Sequence, residues 1–330
     1  MSSARHRFLV LLVAAPVSGC AGVQSALAPA GSGAARIALL TWILLGFCTA
    51  ILLLVVLAIW LAIRGSDRMR GWLAHGRMVV AGGIVLPGVT LTALLAYGLW
   101  VMHAGAMAPG SASAIQVEVV GEQWWWRVAY RDRDGKRIES ANEVRIPAGT
   151  DVDFSLKSAD VIHSFWVPNL SGKVDMIPGR TTQLRLSAFQ PGVYRGQCAE
   201  YCGGPHAWMA LDVVAMPAAE FDAWLAAQAA PPVEPASEVA RQGRVLFLAA
   251  GCGACHAVHG TQAAGRIGPD LTRIGERRMI GAGTLSLSKE NLQRFIVSGQ
   301  HVKPGNLMPP FRIFSDQEAG AIATYLAGLK

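Results

Sequence analysis

This sequence of 330 residues has few charged side chains: Asp, Glu, Lys and Arg together make up 15% of it. A charged fraction this low, with a mean hydropathy of +0.35, excludes a wholly water-soluble protein and predicts membrane-spanning segments. Basic runs are also missing, because the net charge of +7 is dispersed among separate arginines, so no tract for binding nucleic acid is expected. No acidic residue occurs between Asp67 and Glu118. The length suits two or three domains.

Residues 1–19 have the pattern of a secretory signal peptide, with a basic start (MSSARHR) and an apolar stretch (FLVLLVAAPV) too short to cross a bilayer. The next residues, VSGC, end at Cys20 and resemble the lipobox of bacterial lipoproteins, in which the cysteine is acylated and becomes the mature N-terminus. A plain signal peptide with an incidental cysteine is the alternative. Both interpretations place the following chain outside the cytoplasm.

Two uncharged stretches, residues 37–63 and 78–102, are each long enough to span a membrane. The loop between them has four arginines against one aspartate, which by the positive-inside rule places it in the cytoplasm. The sequence therefore predicts a two-helix transmembrane hairpin in a bacterial inner membrane. The rest of the chain would then lie on the periplasmic or extracellular side.

The exposed part divides by composition. Residues 115–216 alternate short strand-like stretches with turns, which predicts an antiparallel sandwich or a small barrel. Residues 217–236 begin as a short acidic helix and continue as an Ala/Pro-rich run, which is typical of a linker. Residues 237–330 are typical of an all-α domain, and Ser315 with Glu318 predicts a capping box at the start of its last helix.

The segment Cys252-Gly-Ala-Cys255-His256 is the strongest motif. Two cysteines three apart can form thioethers to the vinyl groups of a haem, and the adjacent histidine can bind its iron. A dithiol redox motif is the alternative, but that would require a βαβ setting and no fixed histidine. Methionine is a common second axial ligand, and we choose Met308, in the proline-rich loop KPGNLMPPF, over Met279.

A second group of soft ligands occurs in the segment CAEYCGGPHAWM, which spans residues 198–209. A disulfide, a zinc site and a copper site are the candidate interpretations. Zinc is bound mainly by cysteine, histidine and carboxylate ligands and seldom by methionine, whereas thiolate, imidazole and thioether together suit copper. Because the loop has a single histidine, a second imidazole is expected from elsewhere in the fold, and His163 in DVIHSFWVP is the candidate.

The pairing of VIHSFWVPNLSGKVDMIPGR with GQCAEYCGGPHAWM resembles the CuA cupredoxin domain of cytochrome c oxidase subunit II. The two-span hairpin and GEQWWWRV fit the same family, and the appended CxxCH domain resembles its fused, caa-type members. The resemblance covers nearly all of the mature chain. It implies a two-helix transmembrane hairpin, an all-β cupredoxin domain with a Greek-key sandwich, and an all-α cytochrome c domain.

The resemblance also implies roles for individual residues. Two copper ions would be bridged by the thiolates of Cys198 and Cys202, with one copper each for His163 and His206 and weaker ligation by Met209 and the Glu200 carbonyl. The Glu200 side chain would bind a magnesium ion shared with subunit I. Trp124, directly after the glutamine of GEQWWW, corresponds to the family's electron-input residue.

One departure from the family concerns protons. Many members have a glutamate shortly before the LP of the second span, but here the region reads GRMVVAGGIVLP. The resemblance therefore does not imply proton uptake through this chain. His75, in the cytoplasmic loop, is interpreted as a solvated residue.

The leading hypothesis is a subunit of a proton-translocating oxidase. It would accept electrons from cytochrome c or a similar donor at haem c and pass them through CuA to subunit I, where oxygen is reduced to water. A subunit III would belong to the same complex. A copper-delivery protein is the alternative, although such a protein needs no covalent haem. The CuA domain of a nitrous-oxide-reducing enzyme is a third possibility, discounted because those enzymes have no such hairpin.

Overall fold

The computed structural model describes residues 22–105, 115–131, 135–230 and 232–330. The expected signal peptide and Cys20 lie outside these residues. The described chain forms two compact units, one comprising residues 35–109 and the other comprising the segment up to Ala34 together with residues 110–330.

The smaller unit is helical. It contains most of α1 (Ser32–Arg64), then α2 (Asp67–Leu73), α3 (Gly76–Val80), a π-helical turn (Ala81–Val85) and α4 (Leu86–Gly105). Two stretches, Ser32–Arg64 and Gly76–Met102, are long and apolar enough to cross a membrane, and they contain the two predicted spans. Pro87 lies just after the π-helical turn. Proline has no N–H to donate to the preceding turn of a helix, and the π-helical turn lies at this break in the α-helical hydrogen bonding. His75 is exposed and caps α3 by accepting a hydrogen bond from the backbone N–H of Arg77.

Ten strands of the larger unit form two packed five-stranded sheets. The first sheet has the order β3-β2-β1-β5-β8 and the second β4-β10-β9-β6-β7. Their bounds are β1 (Gln116–Glu122), β2 (Trp125–Arg131), β3 (Arg137–Ala141), β4 (Glu143–Pro147), β5 (Val152–Ser158), β6 (His163–Trp166), β7 (Val174–Met176), β8 (Thr182–Leu186), β9 (Gly192–Cys198) and β10 (Ala210–Met216).

The sandwich prediction is confirmed, but the expectation of purely antiparallel pairing is wrong in one place in each sheet. Strand β1 pairs in parallel with β5, and β4 pairs in parallel with β10. Strands that are far apart in the chain become neighbours because the connections cross between the sheets, as in a Greek key. Period-two alternation directs one face of each strand inward, and Trp126, Phe154 and Phe165 lie in the shared core with at most 1% of their surface exposed.

Part of the expected linker packs on this sandwich. Helix α5 (Ala218–Gln228) buries Phe221 to 1% exposure in the sandwich core. The ring of Trp224 meets that of Tyr130 edge-on with the centroids 5.2 Å apart. The helix therefore extends the β-domain, and the connection to the next helix is limited to residues 229–237.

The chain after this connection is built on three helices, α6 (Glu238–Ala249), α7 (Lys289–Val302) and α8 (Asp316–Ala327). The predicted capping box is present, because Ser315 and Glu318 bond each other's backbone N–H groups. A short hairpin of β11 (Met279–Ile280) and β12 (Leu285–Ser286) departs from the all-α expectation. Phe247, Ile322 and Tyr325 belong to a separate apolar core between the helices.

The two domains contact each other within the larger unit. The Arg145 guanidinium donates to the Glu276 carbonyl at 2.7 Å, and the Arg278 backbone N–H donates to the Glu143 carboxylate at 2.8 Å. The Ala210 N–H also donates to the carbonyl of Ala282 at 3.0 Å. The helical domain is therefore held on the β-sandwich by polar contacts that involve both side chains and backbone.

Candidate functional site

The copper-site prediction rests on sulfur and imidazole groups that the fold brings together at one end of the sandwich. Cys198 ends β9, His163 begins β6, and Cys202 lies in the loop that follows β9. Their ligand atoms lie within 4.8 Å of one another, and all three residues are buried. Among the described residues, this is the group of three or more potential metal ligands that the structure assembles.

The two cysteines are not joined. Their Sγ atoms lie 3.8 Å apart, whereas a disulfide bond is about 2.05 Å long. Hydrogen bonding between the two thiols lowers the pKa of Cys198 and raises that of Cys202, because the pair shares a proton. A pair that gives up one proton readily suits a metal, since the thiolate is the metal-binding form.

Three further predicted ligands surround the thiols. The Cys202 sulfur lies 3.4 Å from Nδ1 of His206 and 3.8 Å from Sδ of Met209, which is 1% exposed. The Glu200 carbonyl oxygen lies 3.2 Å from the Cys198 sulfur. The structure thus brings together all six residues predicted to bind copper. Two thiolates, two imidazoles, a thioether and a carbonyl make a soft donor set that fits copper.

His163 is held in a fixed orientation. Its Nε2 bonds the Asp160 carboxylate at 2.8 Å, which leaves Nδ1 facing the Cys198 sulfur at 3.8 Å. Burial lowers the pKa of His163, but hydrogen bonds to Cys198 and Asp160 outweigh burial and raise it overall. A Cβ at Gly121 would lie 2.7 Å from the ring of His163, so only glycine permits this approach.

The side chain of Glu200 takes a different direction from its carbonyl. It is exposed, and its carboxylate lies 3.6 Å from Nζ of Lys173. The structure therefore places an ammonium group next to the carboxylate that was predicted to bind magnesium.

The haem-attachment residues line a cavity of about 320 Å³. Cys252, Cys255 and His256 form part of its wall, together with apolar side chains of the helical domain such as Phe247 and Leu292. Both cysteines are free thiols. A largely apolar cavity beside two thiols and an imidazole fits a haem attached by thioethers.

His256 is oriented for metal binding in the same way as His163. Its Nδ1 bonds the Pro269 carbonyl at 2.7 Å, so that Nε2 is left to bind iron. Burial lowers the pKa of His256, which favours the neutral imidazole that binds a metal. A Cβ at Gly268 would lie 2.6 Å from this ring, so a glycine again permits the approach.

Both methionines considered as the second axial ligand line the cavity, Met279 from β11 and Met308 from the loop after α7. Met308 is held by its backbone, whose N–H donates to Asn306 Oδ1 at 2.9 Å. The choice of Met308 stays a prediction.

An unpaired buried group supports the presence of an anionic ligand in the cavity. Arg277 lines the cavity and is 8% exposed, and its Nε has no hydrogen-bond partner. Its Nη2 donates to the backbone carbonyl of Asp270. A buried guanidinium with a free N–H fits the propionate groups of a haem.

Trp124 lies between the two sites. Its indole Nε1 donates to the carbonyl of Cys202 at 3.0 Å, and its side chain lines the haem cavity. Trp124 lies in the turn before β2, whereas Trp126 belongs to β2 and is buried in the core. The Arg127 guanidinium lies over the ring of Trp125, with its Cζ atom 4.8 Å from the centroid of that ring.

Sequence reasoning missed the residues that orient the ligands. Asp160, three residues before His163, was recognisable as a local hydrogen-bond partner. Gly121 and Arg277 have no local signal, because each reaches its site only through the tertiary fold.

Comparisons with known proteins agree with this geometry. Residues 132–216 match the family described as cytochrome c oxidase subunit II, periplasmic domain, and residues 240–330 match the cytochrome c family. Cytochrome c oxidase subunit 2 of Alkalihalophilus pseudofirmus is 41% identical over 218 residues, and that of Bacillus subtilis is 34% identical over 227 residues.

Each alignment covers 66% of this chain, and the chain spans 62% and 63% of the length of those two relatives. Among solved structures, the periplasmic domain of subunit II of cytochrome oxidase from Bradyrhizobium japonicum aligns with 37% of this chain and 97% of its own, at 29% identity and a TM-score of 0.34. Residues 132–216 are thus similar to the periplasmic domain of cytochrome c oxidase subunit II, and residues 240–330, on its C-terminal side, are similar to cytochrome c.

Proposed function

We propose that this chain is the electron-input subunit of an aerobic respiratory cytochrome c oxidase in a bacterial inner membrane. Electrons from a cytochrome c enter at the helical domain, pass to the copper site of the β-sandwich, and continue to the haem-copper centre of subunit I, where oxygen is reduced. The observation that carries the proposal is Trp124, which contacts the copper loop and lines the haem cavity.

The residues of the chain divide into two holding sites and a link. Cys252, Cys255 and His256 would hold haem c, with Met308 as the second axial ligand. Cys198, Cys202 and the four predicted ligands around them would hold copper. A haem and a thiolate-bridged copper pair each supply one-electron chemistry. The protein excludes water from the copper site, since the ligands Cys198, Cys202 and Met209 are at most 4% exposed.

Trp124 would connect the sites. Its indole N–H donates to the backbone of Cys202, so one hydrogen bond joins the aromatic ring to a copper ligand. Gln123 donates to the same carbonyl at 2.8 Å, which fixes this end of the loop. In this fused chain the haem domain covers the route to Trp124, so electrons would reach it from the chain's own haem.

The purified complex provides the test. We expect two copper atoms and one covalent haem per chain, a mixed-valence binuclear copper signal in electron paramagnetic resonance, and reoxidation of haem c that reduces copper in the same complex. A colourless single Cu(I) would support copper delivery in place of electron transfer. A disulfide between residues 198 and 202 with no copper signal would refute the proposal.

The helical domain would receive its donor at a basic surface. Residues 237–330 contain eleven Lys and Arg against six Asp and Glu. Ile267 and Leu307 line the haem cavity and are 74% and 75% exposed, so its mouth is apolar. This combination favours an acidic or neutral donor. The rate at which an acidic donor reduces the haem should fall as the salt concentration rises. A rate that does not depend on ionic strength would contradict this preference.

Two further roles extend the proposal at the membrane. Glu200 would bind a magnesium ion shared with subunit I, provided that Lys173 gives up its ion pair. Cys20 would be acylated after removal of residues 1–19, which mass spectrometry of the mature N-terminus tests.

A further inference from the structure

Lys303 is a buried cation at the boundary between the two domains. It directly follows α7, is 3% exposed, and lines the same cavity as the haem-attachment residues. Burying a charged group without a carboxylate is costly. Across the part of the chain that the structure describes, none of the ion pairs includes Lys303.

The hydrogen bonds of its Nζ go to two backbone carbonyls. Nζ donates to the Trp124 carbonyl at 2.6 Å and to the Gly281 carbonyl at 3.2 Å. Trp124 belongs to the β-sandwich, whereas Gly281 belongs to the helical domain. Burial lowers the pKa of Lys303 to about 7, and either protonation state can donate to both carbonyls. One side chain therefore ties the two domains together at Trp124.

Trp124 is consequently held at both ends. Lys303 holds its carbonyl from the helical domain, and the carbonyl of Cys202 holds its indole from the copper loop. The ring also lies close to Gly203, where an added Cβ would be 3.3 Å from its Cζ2 atom. Releasing the carbonyl would free the backbone on which the indole position depends.

We propose that Lys303 is a positioning residue for electron transfer between the domains: its Nζ fixes the Trp124 backbone so that the indole stays between the haem cavity and the copper loop. This inference rests on the proposed function. It adds a residue of the cytochrome c domain that controls the geometry of a residue in the copper domain. Its role is independent of haem attachment, because Lys303 is not part of the CxxCH motif.

The test compares Lys303→Met, which removes the donor, with Lys303→Arg, which keeps it, in the intact oxidase complex. Lys289→Met is the control, because Lys289 is exposed at the start of α7, the helix that Lys303 directly follows. Electron transfer from haem to copper is timed after photochemical reduction of the haem. Hydrogen exchange of residues 123–125 is measured by mass spectrometry in the same samples.

We expect Lys303→Met to slow transfer by about tenfold to hundredfold, the size of effect produced by misplacing a reacting group by about 1 Å. Exchange at residues 123–125 should rise. The haem spectrum, the copper signal and haem reduction by an external donor should stay as in the wild type. Lys303→Arg should recover most of the rate, and Lys289→Met should change none of these quantities.

A Lys303→Met rate within twofold of wild type would overturn the inference, and so would unchanged exchange at residues 123–125. If Lys303→Met fails to assemble, Lys303→Gln replaces it, because the glutamine side chain is shorter and its N–H group has less reach. Slower transfer with faster exchange at residues 123–125 would then support the inference, and no change in either would overturn it. Absence of haem-to-copper transfer in the wild type would instead refute the proposed function. The two failures are therefore distinguishable.

Discussion

At the scale of single residues, each candidate site orients one histidine by a hydrogen bond to the ring nitrogen that would not bind the metal. His163 bonds the Asp160 carboxylate, and His256 bonds the Pro269 carbonyl. Such bonds fix the ring and its tautomer before the metal arrives. The two sites differ in the partner, because a carboxylate adds negative charge to one imidazole and a carbonyl does not.

Replacing Asp160 tests this arrangement at the copper site. We expect Asp160→Ala to weaken copper binding by about 10- to 100-fold, the usual effect of losing an outer hydrogen-bond partner. Copper titration followed by optical absorbance measures it. Asp175→Ala is the control, since Asp175 is exposed on β7. Equal affinities for the two variants would contradict a role of Asp160 in orienting His163.

The axial ligand of the haem is also decided by one residue. Met308→Ala should lower the midpoint potential of the haem, because a methionine thioether raises the potential of a His-ligated iron. Met279→Ala is the matched control in the same cavity. Redox titration followed by absorbance gives both potentials, and a fall confined to Met279→Ala would show that the choice of Met308 is wrong.

The ligands themselves could be predicted because their signal is local. Cys198, Cys202, His206 and Met209 fall within twelve residues, and the CxxCH motif falls within five. Their supporting residues could not be predicted, since Arg277 and Lys303 reach the cavity through contacts that sequence spacing does not encode.

At the scale of secondary structure, strands were predictable where alternation is regular, as in β1 and β5. Strand β7 has three residues and β9 contains two glycines, so neither has a regular alternation from which it could be placed. The parallel pairings were also beyond reach, since pairing between distant strands depends on the whole fold. Helix α5 was expected from its pattern, but its packing on the sandwich was not.

The contribution of α5 can be measured. Phe221→Ala should lower the free energy of unfolding of the β-domain by about 3–5 kcal/mol, the cost of emptying a buried phenylalanine site. Denaturant unfolding of the full chain, monitored through the copper absorbance, reports this change. Glu220→Ala on the exposed side of α5 should change it by less than about 0.5 kcal/mol. A similar small effect for Phe221→Ala would mean that α5 does not stabilise the sandwich.

At the scale of the molecule, ion pairs give a pH dependence. Burial raises the pKa of Glu118 and Glu139, but nearby basic side chains outweigh burial and lower both pKa values below the ordinary value of 4.5. The basic side chains are Lys157 and Arg137 at Glu118, and Arg137, Arg127 and Arg266 at Glu139. The lowered pKa stabilises the folded state above pH 4.5, and this contribution is lost as the pH falls through the lowered values.

We therefore expect thermal stability to fall as the pH is reduced below about 4.5, and Glu139→Gln to flatten this dependence. Melting temperatures measured by calorimetry between pH 3 and pH 6 test it. Glu238→Gln is the control, because Glu238 is exposed and pairs with Arg241 on the same helix. An unchanged slope in Glu139→Gln would assign the acid sensitivity to other carboxylates.

The connection between the two domains runs only from residue 229 to residue 237, between the end of α5 and the start of α6. A freely diffusing protein must find its partner at its bulk concentration, whereas a domain joined by a short linker meets its partner at a local concentration of about millimolar. An interface of modest affinity would then stay occupied however sparsely the complexes are distributed in the membrane. Mutations that weaken the interface slightly would therefore leave the domains associated in this chain. Their effect on association would become measurable once the linker is cut or lengthened.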